Sequence, residues 1–253
     1  MRLAAIAGNL RVQELTPLHF QSIIATWRQN LTRSTVYHYR RGLMKLVKNI
    51  AAMAGRPDLI DQVPRVPSEQ ARKQIASPAE IQTLLTNSKP WVKCAILLAN
   101  HAALRASDVL RIAPAHYDAE KKSLTIDQKK TGQTVTVPVT QQLAAMLDNA
   151  PEGTGAMQSF VDAFHGKPTT YHALNTAWNV LKKKTGVNQS LIFHDLRRTI
   201  AVSLYEVSKD LRVVEQMLGH QSLSSTIRYL EHRDPTKLKP YLDAIFIPKG
   251  PIQ

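Results

Sequence analysis

Apolar residues recur at helical spacing through the first quarter of the chain and predict helices there. Pro17 begins one predicted helix, and a cap at Ser34 or Thr35 begins a second that runs to Gly55. The second helix carries its apolar residues at Val36, Leu43, Leu46, Val47 and Ile50. Prolines interrupt residues 56–78, where no strong period runs, so this stretch is the best linker candidate.

Capping and alternation patterns extend the prediction beyond the prolines. Residues 77–80 place a serine cap, a proline and a glutamate in the order that starts a helix, which runs through Leu85. Another helix is predicted from Val92 to Ala103. Two short β-type runs, 123–127 and 134–138, flank a basic tip and predict a hairpin. Helical patterns then continue to the end of the chain.

These patterns predict a mainly α-helical protein with one small antiparallel β-sheet. We expect a helical domain over residues 1–66, a linker over 67–77 and a second domain over 78–253. The length of 253 residues fits two domains or one large one. An apolar fraction of 43% with 21% charged residues excludes a wholly disordered chain.

Charge adds a candidate partner. The chain has 33 Lys and Arg against 19 Asp and Glu, a net charge of +14, which favours nucleic acid first and an acidic membrane second. Residues 1–66 hold ten of the basic residues and three of the acidic ones, so net positive charge is densest in this quarter of the chain. Each basic residue there is equally well explained as part of a solvated face. As a group, five are predicted to contact DNA phosphates: Arg33, Arg40, Arg41, Lys45 and Lys48.

Cysteine content and apolar runs indicate the compartment. Cys94 is the single cysteine, which excludes an internal disulfide and a Cys-rich zinc site. The longest apolar stretch is far short of the ~20 residues that span a bilayer. The N-terminal run is too short for a signal peptide. We therefore expect an intracellular protein in a reducing compartment, without a membrane partner.

Residues that suit phosphate chemistry lie in two motifs of the predicted second domain. Arg105 is followed three residues later by Asp108, whose carboxylate can hold the guanidinium. Lys129 and Lys130 lie at the hairpin tip, where a lysine can reach a substrate oxygen. Taken singly, these motifs are also explained by a surface ion pair and by an ordinary turn.

Two further motifs follow towards the C-terminus. His194 and Arg197 are three apart, so a helix presents both on one face. Gly219 can end a helix, which places His220 just beyond it, and Tyr229 follows nine residues after that histidine. A lone tyrosine here is most often a packing residue.

The order and spacing of the four motifs resemble the tyrosine recombinase (phage integrase) family. The resemblance spans about residues 77–232, and its most specific parts are 194–197 and 218–229. It is closest to simple integrase or Xer-like members that lack an arm-binding domain. The basic N-terminal segment resembles the core-binding domain of the family. Ala103 departs from the pattern, because many members have glycine there.

The resemblance implies roles for individual residues. Arg105 and Arg197 would clamp the phosphate, with Asp108 supporting the first of them. His194 and His220 would be the two active-site histidines. Lys130 would be the hairpin lysine, although neighbouring Lys129 leaves that choice open. Tyr229 would be the nucleophile.

The implied activity is site-specific recombination of double-stranded DNA through a 3′-phosphotyrosine intermediate, without ATP, metal or cofactor. Two domains would close around the duplex as a C-shaped clamp. Four protomers would act at a synapse. A free monomer is left open, and so are accessory DNA-bending or directionality proteins. The tail, 237–253, would dock on a neighbour or on its own domain through Leu242, Ile245, Phe246 and Ile247. A cytoplasmic, nucleoid-associated protein of a bacterium, archaeon or phage is expected.

Three other interpretations compete with recombination. A type IB topoisomerase-like protein would share the phosphotyrosine chemistry and relax DNA as a monomer. A DNA-binding regulator of the same fold would lack activity, although all six candidate positions hold competent residue types. A basic helical protein with chance motifs would require four ordered coincidences.

Overall fold

The computed structural model describes residues 10–67, 74–153, 158–219 and 226–227. Backbone contacts divide the chain into two compact units, Met1–Arg72 and Lys73–Gln253. No helix in the described part of the chain has the length and apolar character needed to cross a bilayer.

Over residues 10–67, the first unit has a short 3-10 helix (Val12–Glu14) followed by three α-helices: α1 (Pro17–Asn30), α2 (Arg33–Ala54) and α3 (Leu59–Gln62). The predicted start of α1 at Pro17 is confirmed. The cap of α2 is Thr32 rather than Ser34 or Thr35, because the Thr32 side chain accepts a hydrogen bond from the Thr35 amide. Gly55 ends α2 in the left-handed conformation, with φ of 64°.

The helices of the first unit enclose their own core. It is formed by Phe20, Ile23, Ile24 and Trp27 of α1, Val36, Leu43, Val47 and Ala51 of α2, and Leu59, Val63 and Val66. Part of the proline-rich stretch that was predicted as linker therefore packs into this core. Leu59 is completely buried, and burying an aliphatic side chain of this size contributes about 1.5–3 kcal/mol.

The second unit is mainly helical around one small sheet. Its helices are α4 (Pro78–Asn87), α5 (Pro90–His101), α6 (Ala106–Val109), α7 (Gln141–Asp148), α8 (Phe160–His165), α9 (Tyr171–Thr185), α10 (Asp195–Ser208) and α11 (Leu211–Leu218). Its strands are β1 (Tyr117–Asp118), β2 (Ser123–Asp127) and β3 (Thr134–Pro138). The expected capping box of α4 is present, with the Ser77 side chain accepting from the Glu80 amide.

The sheet is antiparallel in the order β1-β2-β3. Ser123 pairs with Pro138 and Asp127 with Thr134, so the hairpin prediction is confirmed. Leu124 and Ile126 point to the buried face of β2, as strand alternation requires. The expected fold, mainly α-helical with a small antiparallel sheet, is confirmed.

Helix α5 is the centre of the second core. Eight of its twelve residues are buried, from Trp91 to Ala99. A smaller cluster joins Ala103, Ala201, Val214 and Leu218, and it packs α11 against α10 and the turn after α5. This cluster matters for function because two residues predicted to contact phosphate are its neighbours in the sequence. Arg105 follows Ala103 by two residues, and Arg197 precedes Ala201 by four.

Candidate phosphate site

Arg105 lies at the start of α6 and its side chain crosses to the hairpin. The residue is half-buried, and its Nη1 donates a hydrogen bond to Oε1 of Gln128. The hairpin tip therefore holds the first predicted phosphate-binding arginine.

Asp108 has partners other than the one expected. Its buried carboxylate accepts from the Lys129 backbone amide at 3.0 Å and lies 3.5 Å from Nη1 of Arg111. The prediction that the Asp108 carboxylate holds the Arg105 guanidinium is therefore wrong. Arg111 also lies three residues from Asp108, on its C-terminal side, and it takes the ion pair. Both contacts use Oδ1 of Asp108, and the buried Oδ2 has no hydrogen-bond partner in the described part of the chain.

Arg197, on α10, is almost fully buried, with 1% of its surface exposed. Its Nη1 donates to the Ala103 carbonyl at 2.5 Å and its Nη2 to the Leu218 carbonyl at 2.6 Å. Ala103 has a φ of 52°, in the left-handed region that favours glycine. The backbone turn at Ala103 thus aims a carbonyl at the second arginine.

His194 precedes α10 at the end of a loop that α9 anchors. Nε1 of Trp178 and Nζ of Lys182 both donate to the Leu191 carbonyl, at 3.2 and 2.6 Å. The ring of Trp178 also packs edge-on against Phe193. These contacts fix the backbone immediately before the histidine.

The surroundings of His194 lower its pKa to about 4. Although His194 is exposed, desolvation is the largest cause, and the nearby charge of Arg197 is the second. Asp195 opposes the shift, while Arg105 and Lys130 add to it. Three cations therefore act on one imidazole, which is neutral at pH 7.

The hairpin tip is exposed at both candidate lysines, Lys129 and Lys130. The Lys129 amide is bound by Asp108, which ties the tip to α6. The charge of Lys130 contributes to the lowered pKa of His194, so Lys130 belongs to the same electrostatic environment as both arginines.

Gln128, which the sequence analysis did not select, connects these groups. It is 2% exposed; its Oε1 accepts from Arg105 and its Nε2 donates to the Leu218 carbonyl at 3.0 Å. The sequence does contain a signal for the burial of Gln128, because the alternation of Leu124 and Ile126 places position 128 on the same buried face. A polar residue at a buried position needs partners, and here these partners are the two arginine networks.

Gly219 ends α11 against the hairpin with a φ of 58°. A Cβ atom at this position would lie 2.3 Å from Cγ2 of Val135 and 2.6 Å from Nε2 of Gln128. The residue is therefore glycine for two reasons, conformation and space. His220 and Tyr229 lie outside the described residues, and so do Leu242, Ile245, Phe246 and Ile247.

In the first unit, the five predicted DNA-binding residues divide into two groups. Arg33, Arg41, Lys45 and Lys48 are exposed, and the last three recur at helical spacing on one face of α2. Arg40 is half-buried, and its Nε donates to the Pro64 carbonyl at 2.8 Å. This bond gives Arg40 a structural contact within the unit.

A cavity of about 640 Å³ lies away from these groups in the second unit. Trp91 and His165 stack in its wall, with Lys89, Lys167 and Lys184 around it. Arg105, Lys130, His194 and Arg197, the predicted catalytic residues that the structure describes, do not line it.

Comparison with known proteins identifies a family through the second unit of the chain. The model of the phage integrase family matches residues 74–235. A tyrosine recombinase from Pseudothermotoga lettingae is 25% identical over 246 residues, covering 92% of this chain and 83% of the relative. Tyrosine recombinase XerA from Pyrococcus furiosus is 29% identical over 139 residues, and the match covers 53% of this chain and 48% of XerA.

Among solved structures, the integrase of transposon Tn1549 in complex with transposon right end DNA superposes with a TM-score of 0.76. The two chains are 14% identical, and the match covers 94% of this chain and 88% of the integrase. This likeness shows the fold. Because the family model covers most of the chain, the chain belongs to the phage integrase family, as the motifs indicated.

We expect Gly219→Ala to destabilise the chain more than Gly132→Ala. Both positions have positive φ, 58° and 67°, but of the two only Gly219 has atoms within 4 Å of the place that an alanine methyl would occupy. The shared conformational cost is about 1–2 kcal/mol, and overpacking adds about 1–3 kcal/mol at position 219 alone. Urea denaturation measures the loss in free energy of unfolding for both variants. Equal losses would contradict the close approach to Val135 and Gln128.

We also expect the His194 imidazole of the free chain to remain neutral down to pH 5.5, since its pKa is lowered to about 4. NMR titration of the ring carbons measures this, and His194→Gln assigns the resonance by removing it. A titration midpoint at or above the ordinary value of about 6.5 would show that the cations do not act on this ring.

Proposed function

We propose that this chain is a site-specific tyrosine recombinase that cleaves and rejoins DNA strands through a 3′-phosphotyrosine intermediate. Family membership and relatives named tyrosine recombinases support the activity. The observation that carries the proposal is the hydrogen-bond network that joins Arg105, through Gln128 and the Leu218 carbonyl, to Arg197, three residues after His194. These are the groups that a metal-independent phosphoryl transfer requires.

In the proposed reaction, the Tyr229 oxygen attacks a DNA phosphorus and the 5′-oxygen leaves. The P–O bond to tyrosine replaces the P–O bond to the 5′-oxygen, so the ester energy is kept and no ATP is consumed. A 5′-hydroxyl of a second strand then attacks the phosphotyrosine and releases the enzyme. Two protons must move, one from the phenol and one to the departing 5′-oxygen.

His194 is proposed to accept the phenol proton. Its lowered pKa keeps the ring in the neutral form that can accept a proton at pH 7. A bound phosphate would offset the surrounding cations and raise that pKa, which strengthens the base when substrate is present. Lys130 is proposed to protonate the 5′-oxygen, and its effect on His194 supports choosing it over Lys129. His220 is proposed to orient the phosphate.

Arg105 and Arg197 are proposed to stabilise the charge that develops on the phosphate oxygens. Arginine remains charged and donates hydrogen bonds in a planar fork that matches phosphate. The fixed contacts of both guanidiniums mean that little reorganisation is needed during the reaction. Losing one preorganised donor costs about 2.7–4 kcal/mol in a comparable anion site.

DNA binding is proposed to involve both parts of the chain. Residues 1–66 would be the core-DNA-binding domain and 78–253 the catalytic domain, joined by 67–77. The exposed face of α2 formed by Arg41, Lys45 and Lys48 would contact phosphates.

The assembly is proposed to be a homotetramer on DNA, formed from free monomers in the cytoplasm beside the nucleoid. Relaxation of DNA as a monomer is the rival outcome, and the names of the relatives favour recombination over it.

Tyr229→Phe is expected to abolish covalent attachment to DNA, because phenylalanine lacks the attacking oxygen. The test incubates the chain with a library of nicked suicide duplexes, separates denaturant-resistant adducts and sequences the attached strands. Tyr171→Phe is the matched control, since Tyr171 is an exposed tyrosine of α9, and it is expected to form adducts like the wild type. An adduct with Tyr229→Phe would show that another residue is the nucleophile. Exchange between two marked duplexes then separates recombination from relaxation alone.

Replacing Arg41, Lys45 and Lys48 by Gln is expected to flatten the salt dependence of DNA affinity. Each lost phosphate contact lowers the slope of log K against log salt by about 0.9. Arg40→Gln removes one positive charge, against three in the triple variant, and its expected effect is on stability through the Pro64 bond, with the slope nearly unchanged. Fluorescence anisotropy at several salt concentrations measures the slopes. Equal changes in the triple variant and in Arg40→Gln would contradict the proposed binding face.

A further inference from the structure

We infer that Gln128 is a positioning residue for Arg105: its buried amide holds the guanidinium in place and ties it to the backbone that also holds Arg197. The inference rests on the proposed function for the reaction that is affected. It adds a residue of the hairpin tip to the groups that determine the rate.

The hydrogen bonds of Gln128 fix its side chain in one orientation. Oε1 accepts from Nη1 of Arg105 and from the Thr131 hydroxyl at 3.0 Å, while Nε2 donates to the Leu218 carbonyl at 3.0 Å. The residue is 2% exposed, so water does not replace these partners. An unpaired buried amide costs about 1–3 kcal/mol, which disfavours rotation of the side chain away from Arg105.

An amide suits this position because it is neutral. A carboxylate here would pair with Arg105 and cancel the charge that a phosphate needs. The nearby carboxylate of Asp108 is instead directed to Arg111 and to the Lys129 amide. Arg105 is thus held by an acceptor that leaves its positive charge available for the substrate.

Gln128 also connects the two arginines through one atom. The Leu218 carbonyl accepts from Nε2 of Gln128 and from Nη2 of Arg197, the latter at 2.6 Å. Both guanidiniums are therefore positioned relative to the same backbone oxygen. Misplacing a catalytic group by about 1 Å can cost ~10²-fold in rate. The shared Leu218 carbonyl therefore affects the rate by setting the positions of both guanidiniums.

The first test measures the motion of Arg105 in the full chain without DNA. NMR of the guanidinium nitrogens is expected to show slow exchange of the two Arg105 Nη atoms in the wild type and fast exchange in Gln128→Met, which keeps the side-chain length without polar atoms. Gln133→Met is the control on the same hairpin tip and should keep slow exchange. Gln128→Glu retains an acceptor for Arg105, so it should also keep slow exchange and covers the case in which Gln128→Met does not fold.

The second test measures single-turnover attachment to the nicked duplex recovered from the library. Gln128→Met is expected to slow attachment about 10- to 100-fold, because a misplaced donor loses transition-state stabilisation. DNA affinity should change by less than about threefold, since ground-state phosphate contacts remain. In an Arg105→Lys background, the same substitution should cost less than about threefold, because residues that act as a unit are not additive.

Three results would overturn the inference: fast exchange of Arg105 in the wild type, slow exchange in folded Gln128→Met, or an equal loss of rate with and without Arg105→Lys. The last result would indicate a merely structural role. If the wild type attaches to no duplex in the library, the proposed function fails, while the motion of Arg105 still decides whether Gln128 holds it.

Discussion

The carbonyl oxygen of Leu218 accepts hydrogen bonds from Arg197 and Gln128, which come from a helix and a hairpin far apart in the sequence. Arg197 is buried, and a buried cation is tolerated only when polar groups replace its lost hydration. The carbonyls of Leu218 and Ala103 provide this replacement. Because Gln128 binds Arg105 in turn, the turn that ends α11 determines where both guanidiniums lie.

Local patterns were sufficient to predict the elements that have strong local signals. The hairpin strands have the predicted bounds because alternation and a polar tip act within a few residues, and helices begin at Pro17 and Pro78 as the capping residues indicate. Helix α3 and strand β1 were missed, because four and two residues are too short to show a period. Leu59 is core despite its proline-rich surroundings, since tertiary packing decides such short segments.

The site residues that were predicted also have local sequence signals, and those that were missed or misassigned depend on tertiary contacts. Arg105, His194 and Arg197 were selected because motif spacing is a property of the sequence itself. Strand alternation places Gln128 on the buried face, but its role was missed because Arg105 lies 23 residues before it and the Leu218 carbonyl 90 residues after it, and no local pattern indicates such partners. Asp108 was assigned to the wrong arginine for a related reason: Arg105 and Arg111 are equally spaced from it, and only the folded chain distinguishes them.

The tight approach of Gly219 to the hairpin has an evolutionary consequence. Any side chain at position 219 would collide with Val135 and Gln128, so a replacement there would be accepted only together with smaller neighbours. Three positions on separate elements thus form one epistatic unit. Homologues with a larger residue at position 219 should carry smaller residues at positions 135 and 128.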